Sequence, residues 1–108
     1  MYYRVVKSIV FLGRSLEALR EFPSPVKRAS GYELDKLQRG LEPRDWKAMP
    51  SIGPGVREIR IRNEGAWRVV YVANRGDAVY VLHVFQKKTQ RTAKQDIVAI
   101  KSALKELK

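Results

Sequence analysis

The side chains able to do chemistry crowd into one stretch of the chain. Glu58, Arg60, Arg68, His83, Lys87 and Lys88 fall within it, with Arg57 and Arg62 among them and Arg91 just beyond. Arginine and lysine at this density suit the gripping of phosphate. A guanidinium binds two phosphate oxygens at once through its planar fork. An ammonium serves as a point charge, or as a proton donor where neighbouring cations lower its pKa. Cutting RNA without a metal needs three things. The 2′-hydroxyl must lose a proton, the charge growing on the phosphorane oxygens must be stabilised, and the leaving 5′-oxygen must gain a proton. Arg60 and Arg68 suit the second task. Lys87, Lys88, Glu58 and His83 are the candidates for the other two. Arg57, Arg62 and Arg91 read as phosphate-steering cations, and Trp67 and Phe85 as flat surfaces for bases, together an RNA-binding set.

Each of these residues also has a structural reading. Arg68 could be held in a salt bridge to Glu58 or Asp96, and Arg60 could belong to a solvated sheet face. Glu58 more often orients an arginine than acts as a base. His83 lies within an apolar run, where a packed, neutral histidine is the commoner outcome. Lys87-Lys88-Thr89 stands at a strand-to-helix junction, where cations often serve solubility alone.

Strands and helices must position these groups. R-E-I-R-I-R, W-R-V-V-Y-V and V-Y-V-L-H-V-F-Q-K alternate well enough to be strands at Val56–Arg62, Ala66–Ala73 and Ala78–Phe85. Glu64-Gly65 and Arg75-Gly76-Asp77 are the hairpin turns between them. Alternation puts Ile59 and Ile61 opposite Glu58, Arg60 and Arg62. It puts Ala66, Arg68, Val70 and Val72 opposite Trp67, Val69 and Tyr71. On the last strand it groups Val79, Val81, His83 and Phe85 against Tyr80, Leu82 and Val84. Arg60 and Arg68 can then meet across strands, given the right register.

Upstream, Tyr2 to Val10 reads as an opening strand. Ser15 is expected to cap a short helix that ends near Pro23. Ser24 and Pro25 start a second helix, with a stripe of Val26, Ala29, Ser30, Leu34, Leu37 and Leu41. Glu42–Gly55 reads as a loop, pinned through Trp46, Met49 and Ile52. Thr92 with Gln95 forms an expected capping box for a last helix reaching about Leu107. The order is β-α-α-β-β-β-α. It predicts a single α+β domain over residues 1–108, with a curved antiparallel sheet, an N-terminal helical hairpin and a C-terminal helix.

Composition agrees with a basic, globular chain. Of its 108 residues, 44% are hydrophobic and 31% charged, without the profile of a disordered segment. There are 22 Lys and Arg against 11 Asp and Glu, a formal charge of +11. Residues 57–108 hold 12 of the basic side chains and 5 of the acidic ones, so the excess leans toward the strands. Self-repulsion of this size opposes a compact state, which points to a polyanionic partner. Cysteine is absent and His83 is the one histidine. Disulfides, thiolate chemistry and Cys- or His-rich metal sites are therefore ruled out on residue type, and neither a metal nor a cofactor is expected. No apolar run is long enough to span a bilayer, so no membrane partner is expected. The absence of cysteine fits the cytoplasm, which is the expected location.

The series G-V-R-E-I-R-I-R, A-W-R-V-V-Y and V-Y-V-L-H-V-F-Q-K-K-T-Q-R-T-A-K resembles the RelE/HigB-like toxins of bacterial type II toxin–antitoxin systems, in their phage-derived branch. F-P-S-P-V-K-R-A-S-G-Y-E-L-D-K-L-Q-R-G and W-K-A-M-P-S-I-G fit as well, so the resemblance covers nearly the whole chain. It implies an mRNA endoribonuclease that works on translating ribosomes and halts protein synthesis. It also implies a cognate helix-turn-helix antitoxin, with operator DNA reached only through that partner. The family's E-L/I-R position falls on Glu58 and Arg60, its aromatic-Arg position on Trp67 and Arg68, and its F-x-K-K position on Phe85, Lys87 and Lys88. Well-known members carry a tyrosine in the C-terminal segment. Here that segment is T-Q-R-T-A-K-Q-D, which leaves proton transfer to Lys87, Lys88, His83 or Glu58. Sister families with this fold poison DNA gyrase without catalysis, and a basic nucleic-acid-binding module is the remaining alternative.

Overall fold

The computed structural model describes residues 6–107. Its elements run β1 (Ser8–Phe11), α1 (Ser15–Arg20), α2 (Ser24–Gln38), β2 (Trp46–Ala48), β3 (Val56–Arg62), β4 (Ala66–Arg75), β5 (Ala78–Lys87) and α3 (Lys94–Lys105). The five strands form one sheet in the order β1-β5-β4-β3-β2. Four of them are antiparallel to their neighbours, and β1 joins parallel to β5. Of the expected opening strand, Ser8–Val10 lie in β1, and residues 2–5 are outside the described part.

Both faces of the sheet are covered, and the two covers differ. On one face α1 and α2 bring Leu19, Phe22, Val26, Leu34 and Leu37 against Ile59, Ile61, Trp67, Val69, Tyr71, Val79, Val81 and Val84. On the other, Ile100 and Ala103 of α3 pack on Val56, Val70, Val72, Leu82 and Phe85. Each fully buried aliphatic or aromatic side chain contributes roughly 1.5–3 kcal/mol, so the two layers together hold the sheet rigid.

Alternation survives intact in β3 and in β4 as far as Val72, beyond which β4 carries an extra residue before Arg75; in β5 it breaks within the strand. Val70 pairs with His83, and the next residue, Tyr71, pairs with Val81, so β5 carries one residue too many at this point. This is a β-bulge, and it resets which way the following side chains face. Val79 and Val81 lie under α1 and α2, and so does Val84, while Leu82 and Phe85 lie under α3. The expected grouping of Val79, Val81, His83 and Phe85 is thereby corrected. His83 and Phe85 belong to the α3 face.

Several local expectations are also replaced. Arg14, not Ser15, occupies the N-cap of α1, and the buried Ser15 hydroxyl donates to the Val81 carbonyl at 3.2 Å. The helix is thus tied to the sheet through its first residue. Gly40, at φ +78°, ends α2 two residues after Gln38. Leu41 therefore falls outside the stripe and is 51% exposed. The expected loop contains β2, which adds to the sheet opposite Arg57–Ile59. Met49 and Ile52 do pin that segment, against the α3-side core. Ala93, not Thr92, precedes α3, and no side chain caps it, so the Thr92–Gln95 box does not form.

Candidate nucleic-acid interface

Register turns the charged strand residues into an ordered array. Arg60 sits directly opposite Arg68, and Arg68 opposite Phe85. One step along, Arg62, Ala66 and Lys87 form a second row; one step back, Glu58, Val70 and His83 form a third. All three rows lie on the α3 side of the sheet. Strands are about 4.8 Å apart, so these cations start from neighbouring backbone positions on one face. The bulge is what brings Lys87 here. Strict alternation from Val79 and Val81 would have turned it to the opposite face.

Arg68 is at the centre and is nearly buried, its side chain 11% exposed. Its Nε stands 3.4 Å from Oε1 of Glu58, whose side chain is 9% exposed. Neither of these two atoms makes an aligned hydrogen bond. One Nη1 hydrogen is donated to the Trp67 carbonyl at 3.1 Å. Burial is the largest influence on Arg68 and lowers its pKa. Glu58 opposes this, and the like charges of Arg60 and Arg62 add to the lowering. The group stays protonated at neutral pH, but as a cation short of compensation. An incoming anion would supply what Glu58 only partly provides.

Arg60 is held differently. Its Nε and Nη2 both donate to Oδ1 of Asp45, at 3.0 and 2.9 Å, and its backbone N–H donates to the Asp45 carbonyl at 2.8 Å. The guanidinium is thereby fixed at the sheet edge while remaining a third exposed. Arg60, Arg62, Arg68 and Lys87 face Glu58 and Asp45, four cations against two carboxylates, so the array carries an excess of two positive charges. Lys88 and Arg91 are exposed on the connection that follows β5. The Thr89 hydroxyl donates to the Arg91 carbonyl and shapes that connection.

His83 is half-buried. Its Nε2 lies 2.8 Å from Oδ1 of Asp96 in the first turn of α3, and its ring stacks on Phe85 with centroids 5.3 Å apart. The pair joins the bulge to α3 beside the Arg68 row. Phe85, 7% exposed, forms part of the floor beneath that row rather than a free stacking surface.

Two residues expected at the interface lie elsewhere. Trp67 is 8% exposed and faces α1, tilted against Phe22 at 4.9 Å, with its indole N–H donated to the Asn63 carbonyl at 3.0 Å. It packs the core and offers no face to a base. Arg57 also faces away. It stacks over Trp46 at 4.1 Å and pairs with Glu42 at 3.3 Å, beside a cleft of about 230 Å³ between α2 and the sheet. Next to it, burial raises the pKa of Tyr71, and Arg57 works against that rise. Neither Tyr71 nor Tyr80 falls in the three rows of the array.

Asp45 and Asp96 are the residues whose parts sequence reasoning missed. Asp96 had been read only as an alternative partner for Arg68, and Asp45 lay in a segment read as loop. No local signal marked it, because its partner Arg60 is fifteen residues away.

The fold is that of a known class. The structure is similar over 95% of its length to 99% of a double-mutant Escherichia coli toxin RelE in the free state, with a TM-score of 0.64 at 17% identity. It is also similar, over 79% of this chain and 95% of that one, to a chain of the toxin–antitoxin complex RelBE2 from Mycobacterium tuberculosis, at a TM-score of 0.54 and 22% identity. The chain thus has the α+β fold of RelE-type toxins. Residues 17–105 match the family described as phage derived protein Gp49-like (DUF891), and the chain belongs to that family. No curated protein matches it.

Proposed function

We propose that this protein is the toxin of a type II toxin–antitoxin pair and acts as a metal-independent endoribonuclease on mRNA at the translating ribosome. The observation that supports it most is the facing of Arg60 and Arg68 on adjacent strands, with Arg62 and Lys87 in the next row. In the reaction, the 2′-oxygen bonds to phosphorus and the bond to the 5′-oxygen breaks, leaving a 2′,3′-cyclic phosphate and a free 5′-hydroxyl. Arg68 and Arg60 hold the equatorial oxygens as charge develops there. Glu58, buried against Arg68, orients that guanidinium. Lys87 or Lys88 supplies the ammonium that protonates the leaving oxygen, and His83, held by Asp96, is the imidazole for the opposite transfer. A cognate antitoxin of helix-turn-helix type restrains the toxin in the cytoplasm and carries the pair to operator DNA. An antitoxin partner is supported by the RelBE2 complex.

The test is induction of the chain without antitoxin, with RNA 5′ ends mapped and pulse labelling run alongside. The expected result is new mRNA ends and a fall in translation, both lost in Arg68→Ala, with a drop of roughly 100- to 1,000-fold in cleavage rate. Arrest that survives both Arg68→Ala and Lys87→Ala, or DNA synthesis that falls before translation, would overturn the proposal.

A further inference from the structure

A cleft of about 400 Å³ opens beside the cationic array, and nothing in the chemistry above uses it. Glu33, Arg44, Asp45, Arg60, Ile61 and Arg62 line it, with Ala29 of α2 at its back. It exists because β2 stops short. The last residue of β3 that β2 covers is Ile59, so among the described residues no strand lies beside the edge of Arg60–Arg62. The backbone N–H of Arg60 points outward to Asp45. By alternation the N–H and carbonyl of Arg62 also point outward, into the cleft. The cleft therefore combines an apolar floor at Ile61, an open strand edge and charged walls. It shares Arg60 and Arg62 with the array that faces phosphate.

Asp45 gives this cleft a chemical preference. Its Oδ1 already accepts two hydrogen bonds from Arg60, which fills both lone pairs. Among the described residues, nothing donates to its other oxygen, Oδ2. Glu33 on the opposite wall is engaged: its Oε1 accepts the backbone N–H of Arg44 at 2.9 Å and lies 3.5 Å from Lys36. Asp45, its side chain 38% exposed against 11% for Glu33, is the more open of the two carboxylates and offers Oδ2 to a planar ring beside the strand edge.

We propose that this cleft is a nucleobase subsite that takes the base of a nucleotide flanking the scissile phosphate and favours bases bearing an amino group. The inference rests on the ribonuclease reading for its biological meaning, but not for its binding chemistry. Adenine, guanine and cytosine each offer an exocyclic amino donor to Asp45 Oδ2. Uracil has no amino group, and its one ring donor, N3–H, lies between two carbonyl oxygens that the carboxylate repels. One hydrogen bond to a charged acceptor, set against that repulsion, amounts to about a tenfold preference or more.

Two measurements test it. First, the Arg68→Ala protein is titrated with AMP, GMP, CMP and UMP in turn, followed by backbone amide NMR shifts. Shifts that include Ala29, Glu33, Asp45 and Ile61, with UMP binding about tenfold more weakly than the others, support the subsite. Equal affinity for all four, or shifts only at the cationic rows, would overturn it. Second, cleavage ends are mapped for the parent and for Asp45→Asn. This exchange is isosteric and keeps an oxygen for Arg60 while turning a donor toward the cleft. The ratio of cuts next to uracil over cuts next to amino-bearing bases should rise about tenfold. An unchanged ratio in a protein that cuts RNA would refute the subsite alone. No cutting by the parent at all would refute the ribonuclease reading while leaving the nucleotide titration to decide the cleft.

Discussion

Replacing Glu58 by glutamine removes a counter-charge and very little else. The two side chains are about nine-tenths buried, and Glu58 Oε1 stands 3.4 Å from Arg68 Nε. At that distance, with an effective dielectric of about 20, unit charges attract by about 5 kcal/mol. Most of this only offsets the cost of withdrawing two ions from water, so the intact pair adds little net stability. In the variant, Arg68 still bears its desolvation cost, and Arg60 and Arg62 still repel it. Breaking a buried pair from one side costs about 3–5 kcal/mol. The lower end applies, because the contact lacks an aligned hydrogen bond. About 3 kcal/mol in a domain of this size lowers Tm by roughly 12 °C. Thermal unfolding followed by circular dichroism reads this directly. Added sulfate should recover more stability in Glu58→Gln than in the parent, because the uncovered cations bind it. The double variant Glu58→Gln, Arg68→Met should be more stable than Glu58→Gln alone, since it buries no charge. A loss of less than about 1 kcal/mol, the range of an exposed pair, would refute the argument. So would a double variant as unstable as the two single losses added together.

Other outcomes follow from the same geometry. Trp67→Ala should cost about 3–5 kcal/mol in urea unfolding, because it empties a core site rather than an RNA contact; Trp67→Phe should retain RNA cleavage. Arg57→Ala should leave the cleavage rate unchanged, since Arg57 faces α2, while Arg62→Ala should weaken RNA binding. Binding of single-stranded RNA should fall with salt at a logarithmic slope of about −3 if four cations meet phosphates, shrinking to about −2 in Arg68→Ala. Filter binding across a salt series checks it, and a slope near zero would mean that the array does not touch the backbone.

Much of the scaffold was legible from local signals. The hairpin strands, both helices of the N-terminal pair and the stripe of α3 were readable from their periods, because each repeats over enough residues to stand out. The facing of Arg60 and Arg68 was available as a consequence of alternation plus one register. What failed were the short or non-local features. β2 has three residues, too few for any period to show. Ser15 and Thr92 have the residue types of caps, but a helix cap competes with other hydrogen-bonding partners. Ser15 finds the Val81 carbonyl, which is distant in sequence. Trp67 and Arg57 looked like interface residues by type, and only the helices that cover their face revealed them as core and edge.

Sequence alone determined the direction of each side chain within β3 and the Ala66–Val72 part of β4, because neighbouring side chains on a regular strand must point to opposite faces. It also determined the surplus of positive charge and its lean toward those strands. Tertiary structure decided the phase of β5. Where the extra residue of a bulge falls depends on which pairing of two strands best buries Val79, Val81 and Val84 against one set of helices and Leu82 and Phe85 against the other. That balance is summed over contacts far apart in the chain. Through it, the packing of the two cores places Lys87 on the same face as Arg60 and Arg68, and the candidate site exists because of that placement.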